Sequence, residues 1–455
     1  MSEEKQPYKN PLLWVPSSYF AMGTVYTMVT TASNIMFSNL GLANDKAAAY
    51  SSLTGLAFTF KPFWAPLLEL YKTKKFFVVL MQVVLAACFA GIAVALKLPS
   101  WVAPVIGLMM VAAVAGATQD IGTDGVYVTT LEPKRQAAFS GIQSLCWSIG
   151  PIIASSVLVL VVGKLAGEVS GQAKPAASAY GSAWLVVFMA LGGLMAALAF
   201  WHTVTLPPGA KSVDAGRSLS DAMSTIGKAF VTFFAKKDVV LLLGFAFFYR
   251  FGLGLLDKIA PLFLLDARKN GGLGLDNTAL GWLNGLATAA FMIGSIWGGM
   301  FVARRGLKKS LMLLCLALNV PNITFLVLGI MRPEATWVGP SLLQGGHPST
   351  GMMLVAAIFF IEKLGWGFGA VGHMIYMMQQ IAPGPYRTSH YAFATGIGLS
   401  LCMTLTGLFS GVIQSHVGYQ TYFIIVLVAA IPSLLFTWLA PFHYADDGSA
   451  AKAGK

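Results

Sequence analysis

Charge is what this sequence has least of. Asp, Glu, Lys and Arg make up 11% of its 455 residues, while 56% are hydrophobic. A soluble domain carries about 25% charged residues, so this is a membrane composition. Cysteine is scarce too, and Cys88, Cys146, Cys315 and Cys402 all fall inside apolar runs with no paired spacing. That argues against a disulfide framework and against a zinc site. The six histidines show no metal-ligand spacing, and neither a Walker motif nor a nucleophile elbow occurs. No metal, cofactor, ATP hydrolysis or other enzymatic activity is therefore expected. A cleavable signal is not evident: MSEEKQPYKNP is polar with acidic residues, and the apolar run after it exceeds a signal-peptide core.

What is present is a succession of long apolar runs. A membrane-spanning helix needs about 20 largely apolar residues. Runs of that length lie at 12–38, 46–69, 76–97, 102–131, 137–163 and 180–205, then at 239–265, 277–303, 309–331, 350–381, 388–415 and 419–441. The expected fold is all-α and polytopic, with twelve transmembrane helices in two six-helix halves (1–205 and 239–455). The polar stretch 206–238 reads as a cytoplasmic linker. Within it Ser218 and Asp221 open a helix, and Ala222, Ile226, Phe230 and Phe233 give that helix one apolar face.

The net charge of +12 resides in short loops between apolar runs, which argues against nucleic acid as a partner. Such cations set membrane orientation instead. With the N-terminus inside, cytoplasmic segments hold nineteen Lys and Arg and outer loops seven. Both termini are expected in the cytoplasm, with the lipid bilayer as the surrounding partner.

Charges inside apolar runs are costly, about 2.5–3.5 kcal/mol each at the helix centre, so they normally face a cavity or a partner. Asp120 and Asp124 are four apart and share a helix face with Gln119 alongside. Lys61, Arg250, Asp257, Lys258, Glu362, Lys363 and His373 are the other intramembrane candidates. Arg250 and Asp257, seven apart, share a face at different depths. Glu362 and Lys363 are adjacent, so each is expected to meet a partner on a neighbouring helix rather than the other. The pattern suggests a hydrated central pathway: Asp120, Asp124, Glu362 and His373 for proton coupling or gating, and Arg250, Asp257, Lys258 and Lys363 for an anionic or polar small-molecule substrate. Gln119, Tyr127 and Trp366 would add hydrogen bonds and a stacking surface. The bland alternative is structural ion pairing between helices and, for His373, simple packing. Glu69, beside a basic turn, could pair with Lys134 or Arg135 as a cytoplasmic gate.

The two halves echo each other. Phe63-Trp-Ala-Pro66 and Tyr71-Lys-Thr-Lys-Lys75 correspond to Trp297-Gly-Gly-Met300 and Arg304-Arg-Gly-Leu-Lys-Lys309. Lys134-Arg135 with Ala138-Phe-Ser-Gly141 corresponds to Arg387 with Ala392-Phe-Ala-Thr-Gly396. A parallel six-helix repeat with the substrate site between halves is the major facilitator plan.

Ala117-Thr-Gln-Asp-Ile-x-x-Asp124 resembles the signature of the peptide–acetyl-coenzyme A–drug transporter branch of that superfamily, the branch of the AmpG-like muropeptide permeases. Looser matches are Tyr19-Phe-Ala-x-Gly23, Lys61-Pro-x-Trp-x-Pro66, Pro261-Leu-Phe-Leu-Leu-Asp266 with Gly271-Gly-Leu-Gly274, and Tyr386-Arg-Thr-Ser-His-Tyr391. The resemblance implies proton symport of an anhydro-muropeptide-like amino sugar across a bacterial inner membrane. The protein is expected to act as a monomer. Alternatives are a siderophore importer of the same fold and a non-transporting membrane sensor.

Overall fold

The computed structural model describes residues 10–65, 68, 72–131, 133–169, 174–209, 219–338, 347–384 and 386–444. Helices coincide with the apolar runs because backbone in hydrocarbon must satisfy its own hydrogen bonds. Among the described residues, nine helical stretches are long and apolar enough to cross a bilayer. They provide α3 (Lys74–Ala95), α4 (Val102–Thr130), α5 (133–166), α6 (Ala177–Thr205), α7 (Val239–Leu265), α8 (Asn277–Arg305), α9 (Leu307–Met331) and α10 (Thr350–Ile381). The ninth, Ser389–Trp438, is 50 residues long and holds two crossings. Gly418, at φ 73° and ψ 171°, breaks it into α11 (387–417) and α12 (419–438). A side chain would strain that left-handed backbone. Two more polar helices precede these: α1 (15–39), with a π-helical turn at Met28–Ala32, and α2 (44–64), interrupted at Thr54. That makes twelve, as the apolar runs imply.

The same pairings occur twice. In the first six helices α1 packs on α5, α2 on α4 and α3 on α6; in the second six α7 packs on α11, α8 on α10 and α9 on α12. The halves meet where α5 crosses α8 and where α2 crosses α11.

Apolar packing tells the two ends of the molecule apart. At the end where α1 finishes and α8 begins, one buried cluster runs continuously through both halves, from Phe37, Phe89 and Trp184 to Phe263, Leu280 and Tyr422. At the other end the core splits by half: one cluster gathers Trp14, Tyr19 and Tyr127, the other Phe233, Phe245 and Tyr376. The first end is closed and the second is parted. Polar contacts agree. Those between halves include Asn39 with Asn277, Asn44 with Asp266 and Glu168 with Asn277, all at the closed end.

Between the halves, Leu219–Phe234 forms the helix expected within 206–238. Its Ala229 and Phe233 are buried, whereas Met223, Phe230, Val231 and Phe234 are exposed. His390, from the Tyr386–Tyr391 motif, holds it: Nε2 lies 3.2 Å from the Ala229 carbonyl and 3.1 Å from Thr232 Oγ1, and the ring packs on Phe233. Truncating a buried hydrogen-bonding group costs about 1–3 kcal/mol. His390→Ala is expected to undock this helix and speed trypsin cleavage after Lys228 by roughly tenfold, since 1.4 kcal/mol is a factor of ten. A native cleavage rate would show that other contacts hold the helix.

Candidate functional site

The first cluster of charges lies at the parted end, in the first half. The Lys61 ammonium on α2 forms an ion pair with the Asp120 carboxylate on α4. Asp124, one turn further along α4, accepts a hydrogen bond from the Tyr19 hydroxyl of α1 at 2.7 Å. Asp124 is exposed, Lys61 and Asp120 are half-buried, and Tyr19 is buried. Helical spacing puts both carboxylates on one face, and that face carries one cation, one phenol and two acids from three different helices. Nearby, Trp64 Nε1 donates to Thr118 Oγ1 at 3.2 Å, fixing α2 against α4. Gln119 is buried, and the structure gives neither of its amide atoms a hydrogen-bond partner.

A central cavity of about 50 Å³ lies between the halves. Its walls include Tyr26, Thr30, Thr31 and Ser52 from the first half, and Asp257, Lys258, Ser400 and Thr404 from the second. That is room for a few waters. Lys258 Nζ donates to the Thr30 carbonyl, and the Asn34 amide donates to the Lys258 carbonyl at 2.8 Å, so the two halves touch directly here. Tyr26 shares that wall with Asp257 and Lys258, so both halves face the cavity.

In the second half, α7 is interrupted after Phe248, and Arg250 sits at φ −111° as the cap of the segment Phe251–Leu265. The seven-residue spacing to Asp257 therefore spans a break rather than one continuous helical face. Arg250 is buried, with Nη2 3.4 Å from the Ala370 carbonyl and Nε without a partner. Glu362 and Lys363 depart from the sequence expectation: Lys363 Nζ lies 3.1 Å from Glu362 Oε2, so the neighbours pair with each other. The lysine is long enough to curl back along α10, because its ammonium rests over the Trp366 and Phe359 rings at 4.2 and 5.3 Å. Such cation–π contacts favour that rotamer.

Other expected site residues are placed elsewhere. Tyr127 is buried edge-on against Tyr19 and Trp14, with ring centroids 5.8 and 6.4 Å away. His373 is fully buried in the second half, stacked on Tyr249 with Nε2 2.8 Å from the Ala246 carbonyl. Of the cytoplasmic gate, Glu69 lies outside the described residues; Lys134 and Arg135 are in the first turn of α5, Arg135 exposed.

The closed end holds polar groups that the sequence reading passed over. The Glu168 carboxylate, in the loop after α5, accepts hydrogen bonds from the Asn277 backbone and side chain at 2.8 and 2.9 Å, from the Thr278 N–H at 3.3 Å and from the Tyr180 hydroxyl at 2.5 Å. Burial pushes the Glu168 carboxyl above its ordinary range, against the downward pull of the Tyr180 hydrogen bond. Asp276, capping α8 through the Ala279 N–H, is raised by burial too. A second set joins Asn44 to the Tyr419 hydroxyl at 2.8 Å and to Gln414 Oε1 at 3.2 Å. Asp266 accepts from Tyr419 at 3.1 Å. The Pro261–Asp266 motif thus ends on an inter-half contact.

Twelve helices in two matched sets, closed over a polar centre at one end and parted at the other, define a membrane transporter. Residues 17–403 match the Major Facilitator Superfamily, and the chain belongs to that family. It is a multi-pass secondary transporter of small molecules. Among its relatives is the anhydromuropeptide permease of Escherichia coli (strain K12), 21% identical over 402 residues that span 86% of this chain and 72% of that one. A putative transporter AmpG 4 of Rickettsia conorii is 21% identical over 393 residues, 83% of this chain and 84% of that one. The AmpG-like resemblance is therefore borne out. Among solved structures, a D-xylose–proton symporter aligns with TM-score 0.69 at 11% identity, covering 98% of this chain and 100% of that one. The nucleoside transporter NupG aligns with TM-score 0.66 at 15% identity, covering 94% and 97%.

Proposed function

We propose that this protein is a monomeric importer of the bacterial inner membrane that takes up a polar or anionic amino-sugar fragment, anhydro-muropeptide-like, by proton symport. The observation that carries the reading is the Lys61–Asp120 ion pair beside the Tyr19-bound Asp124, at the parted end. A carboxylate at membrane depth, held by a cation and open to one side, is suited to gaining and losing a proton as access alternates. The excess of Lys and Arg in the loops of the parted end supports a cytoplasmic location for that end and for both termini. Residues 1–205 and 239–455 then act as the two moving halves, with 206–238 as their linker.

Substrate would bind at the level of Tyr26, Arg250, Asp257 and Lys258, where both halves contribute. Lys363 and Trp366 supply a cation and a ring face of the kind that holds a sugar carboxylate and its apolar side. Gln119, with both amide atoms unmatched, is a further hydrogen-bonding candidate. In the opposite state, Glu69 with Lys134 or Arg135 would close the cytoplasmic end. The amino-sugar assignment takes support from the name of the Escherichia coli relative.

Uptake into proteoliposomes tests the reading. Labelled anhydro-muropeptide and free amino sugars are offered with and without an inward proton gradient. Gradient-dependent accumulation of either is expected. Binding without flux would make the protein a sensor, and no uptake of either would remove the cell-wall assignment.

A further inference from the structure

We infer that Glu168 is the latch of the outer gate: its carboxylate, carried by the first half, holds the start of α8 in the second half and so sets how often the outer end is closed. The inference rests on the orientation given above.

Four donors converge on this one carboxylate, and three of them belong to the opposite half. Oε2 takes the Asn277 and Thr278 backbone N–H groups, and Oε1 takes the Asn277 amide and the Tyr180 hydroxyl. The two N–H groups are at the N-terminal turn of a 29-residue helix, where they lack helical acceptors and where the helix dipole favours negative charge. The grip is therefore specific to a charged acceptor. It is also buttressed from behind. Asn277 exchanges hydrogen bonds with Asn39 of α1 at 3.1 and 3.3 Å, and Trp184 Nε1 of α6 donates to the same Asn39 at 3.1 Å. Helices α1 and α6 of one half and α8 of the other thus meet through four polar side chains and one acid.

Nothing in the transport chemistry needs this network. Substrate and proton groups lie deeper, at Tyr26, Arg250 and Asp120. Its partners would have to separate for the outer end to open. When it opens, the Glu168 carboxylate and the α8 N–H groups both regain water, so the net cost of release is modest. Hydrogen bonds to a charged group are stronger than neutral ones, and water replaces them on opening. A latch of this strength biases a two-state equilibrium without freezing it.

The test reads access rather than uptake. Thr31 lines the central cavity and serves as a reporter when changed to cysteine. The full-length Thr31→Cys protein is reconstituted in sealed vesicles without substrate or gradient and exposed to a membrane-impermeant maleimide from either side. The four native cysteines set the background rate. Glu168→Gln keeps the side chain's shape but turns an amide toward the N–H donors. It is expected to raise labelling from the outer side about tenfold and to lower labelling from the cytoplasmic side. Glu168→Ala should do the same, and Tyr180→Phe should shift both rates in the same directions by less. Unchanged rates would overturn the inference. So would a rise from both sides, which marks a loosened fold. Because no substrate is present, failed uptake of amino sugars would leave this result standing, and an unaltered labelling ratio would leave the substrate reading standing.

Discussion

Asp120→Asn is expected to abolish uphill accumulation of substrate, by a hundredfold or more, while leaving exchange of substrate down its own gradient largely intact. The asparagine can still accept a hydrogen bond from Lys61, so α2 and α4 remain in contact. What it cannot do is take up a proton. If Asp120 is the group whose protonation allows Lys61 to let go, its loss uncouples movement of the halves from the proton gradient and spares the movement itself. Unpairing the lysine destabilises the fold only slightly. Lys61 is 35% exposed and Asp120 16%, and the asparagine leaves the lysine with a hydrogen-bond acceptor. The two effects therefore separate: monodisperse protein with native counterflow and no accumulation. Normal accumulation would remove Asp120 from coupling. The next candidate would be Asp124, whose Tyr19 hydrogen bond makes it the other acid of the same cluster.

The fold was legible because the bilayer simplifies the problem. Length and apolarity define each helix, and the Asp120–Asp124 pair stood out because charge in such a run needs a reason. Partners were harder. Lys61 lies 59 residues from Asp120, and Tyr19 lies 105 from Asp124; only helix packing brings them together. Adjacency was misleading for Glu362 and Lys363, since the argument from direction treats side chains as rigid rods and lysine is not one. The break at Arg250 was hidden because Tyr249 and Arg250 are both ordinary helix residues. Hydroxyls that line the centre were hidden differently. Thr30 satisfies itself on the Tyr26 carbonyl at 2.7 Å, so it reads as a neutral helix residue. Glu168 was invisible for the opposite reason: an acid in a polar loop is ordinary, and its role exists only where the two halves meet.

That meeting gives the second large effect. Gly281→Val is expected to trap the protein with its outer end open, reducing uptake about a hundredfold while the protein still folds and inserts. Gly281 is on α8 where it crosses α5, and its carbonyl accepts the Ser156 hydroxyl. A Cβ at this position would stand 2.6 Å from the Ser156 carbonyl oxygen and 2.9 Å from the Leu160 nitrogen. Both obstacles are backbone, so no rotamer change relieves them. Either the helices move apart or the clash persists. Overpacking in a tight contact costs about 1–3 kcal/mol, and at the upper end that displaces a two-state equilibrium roughly a hundredfold. The cost falls on the closed state alone, because α5 and α8 belong to different halves and separate there when the outer end opens. Each half keeps its own core, so folding is spared. Gly299→Val is the control. It lies on the same helix with nothing within 4 Å of its would-be Cβ, and valine is the better helix former of the two. Outer-side labelling of Gly299→Val should be close to native. If both variants transport equally well, the α5–α8 contact is not what closes the outer end. If both lose transport and expression together, α8 tolerates no substitution, and access would have to be probed by labelling alone. The informative result is a difference between two valines 18 positions, five full turns, apart on one helix face, one packed on the other half at the closed end and one at the parted end with nothing within 4 Å.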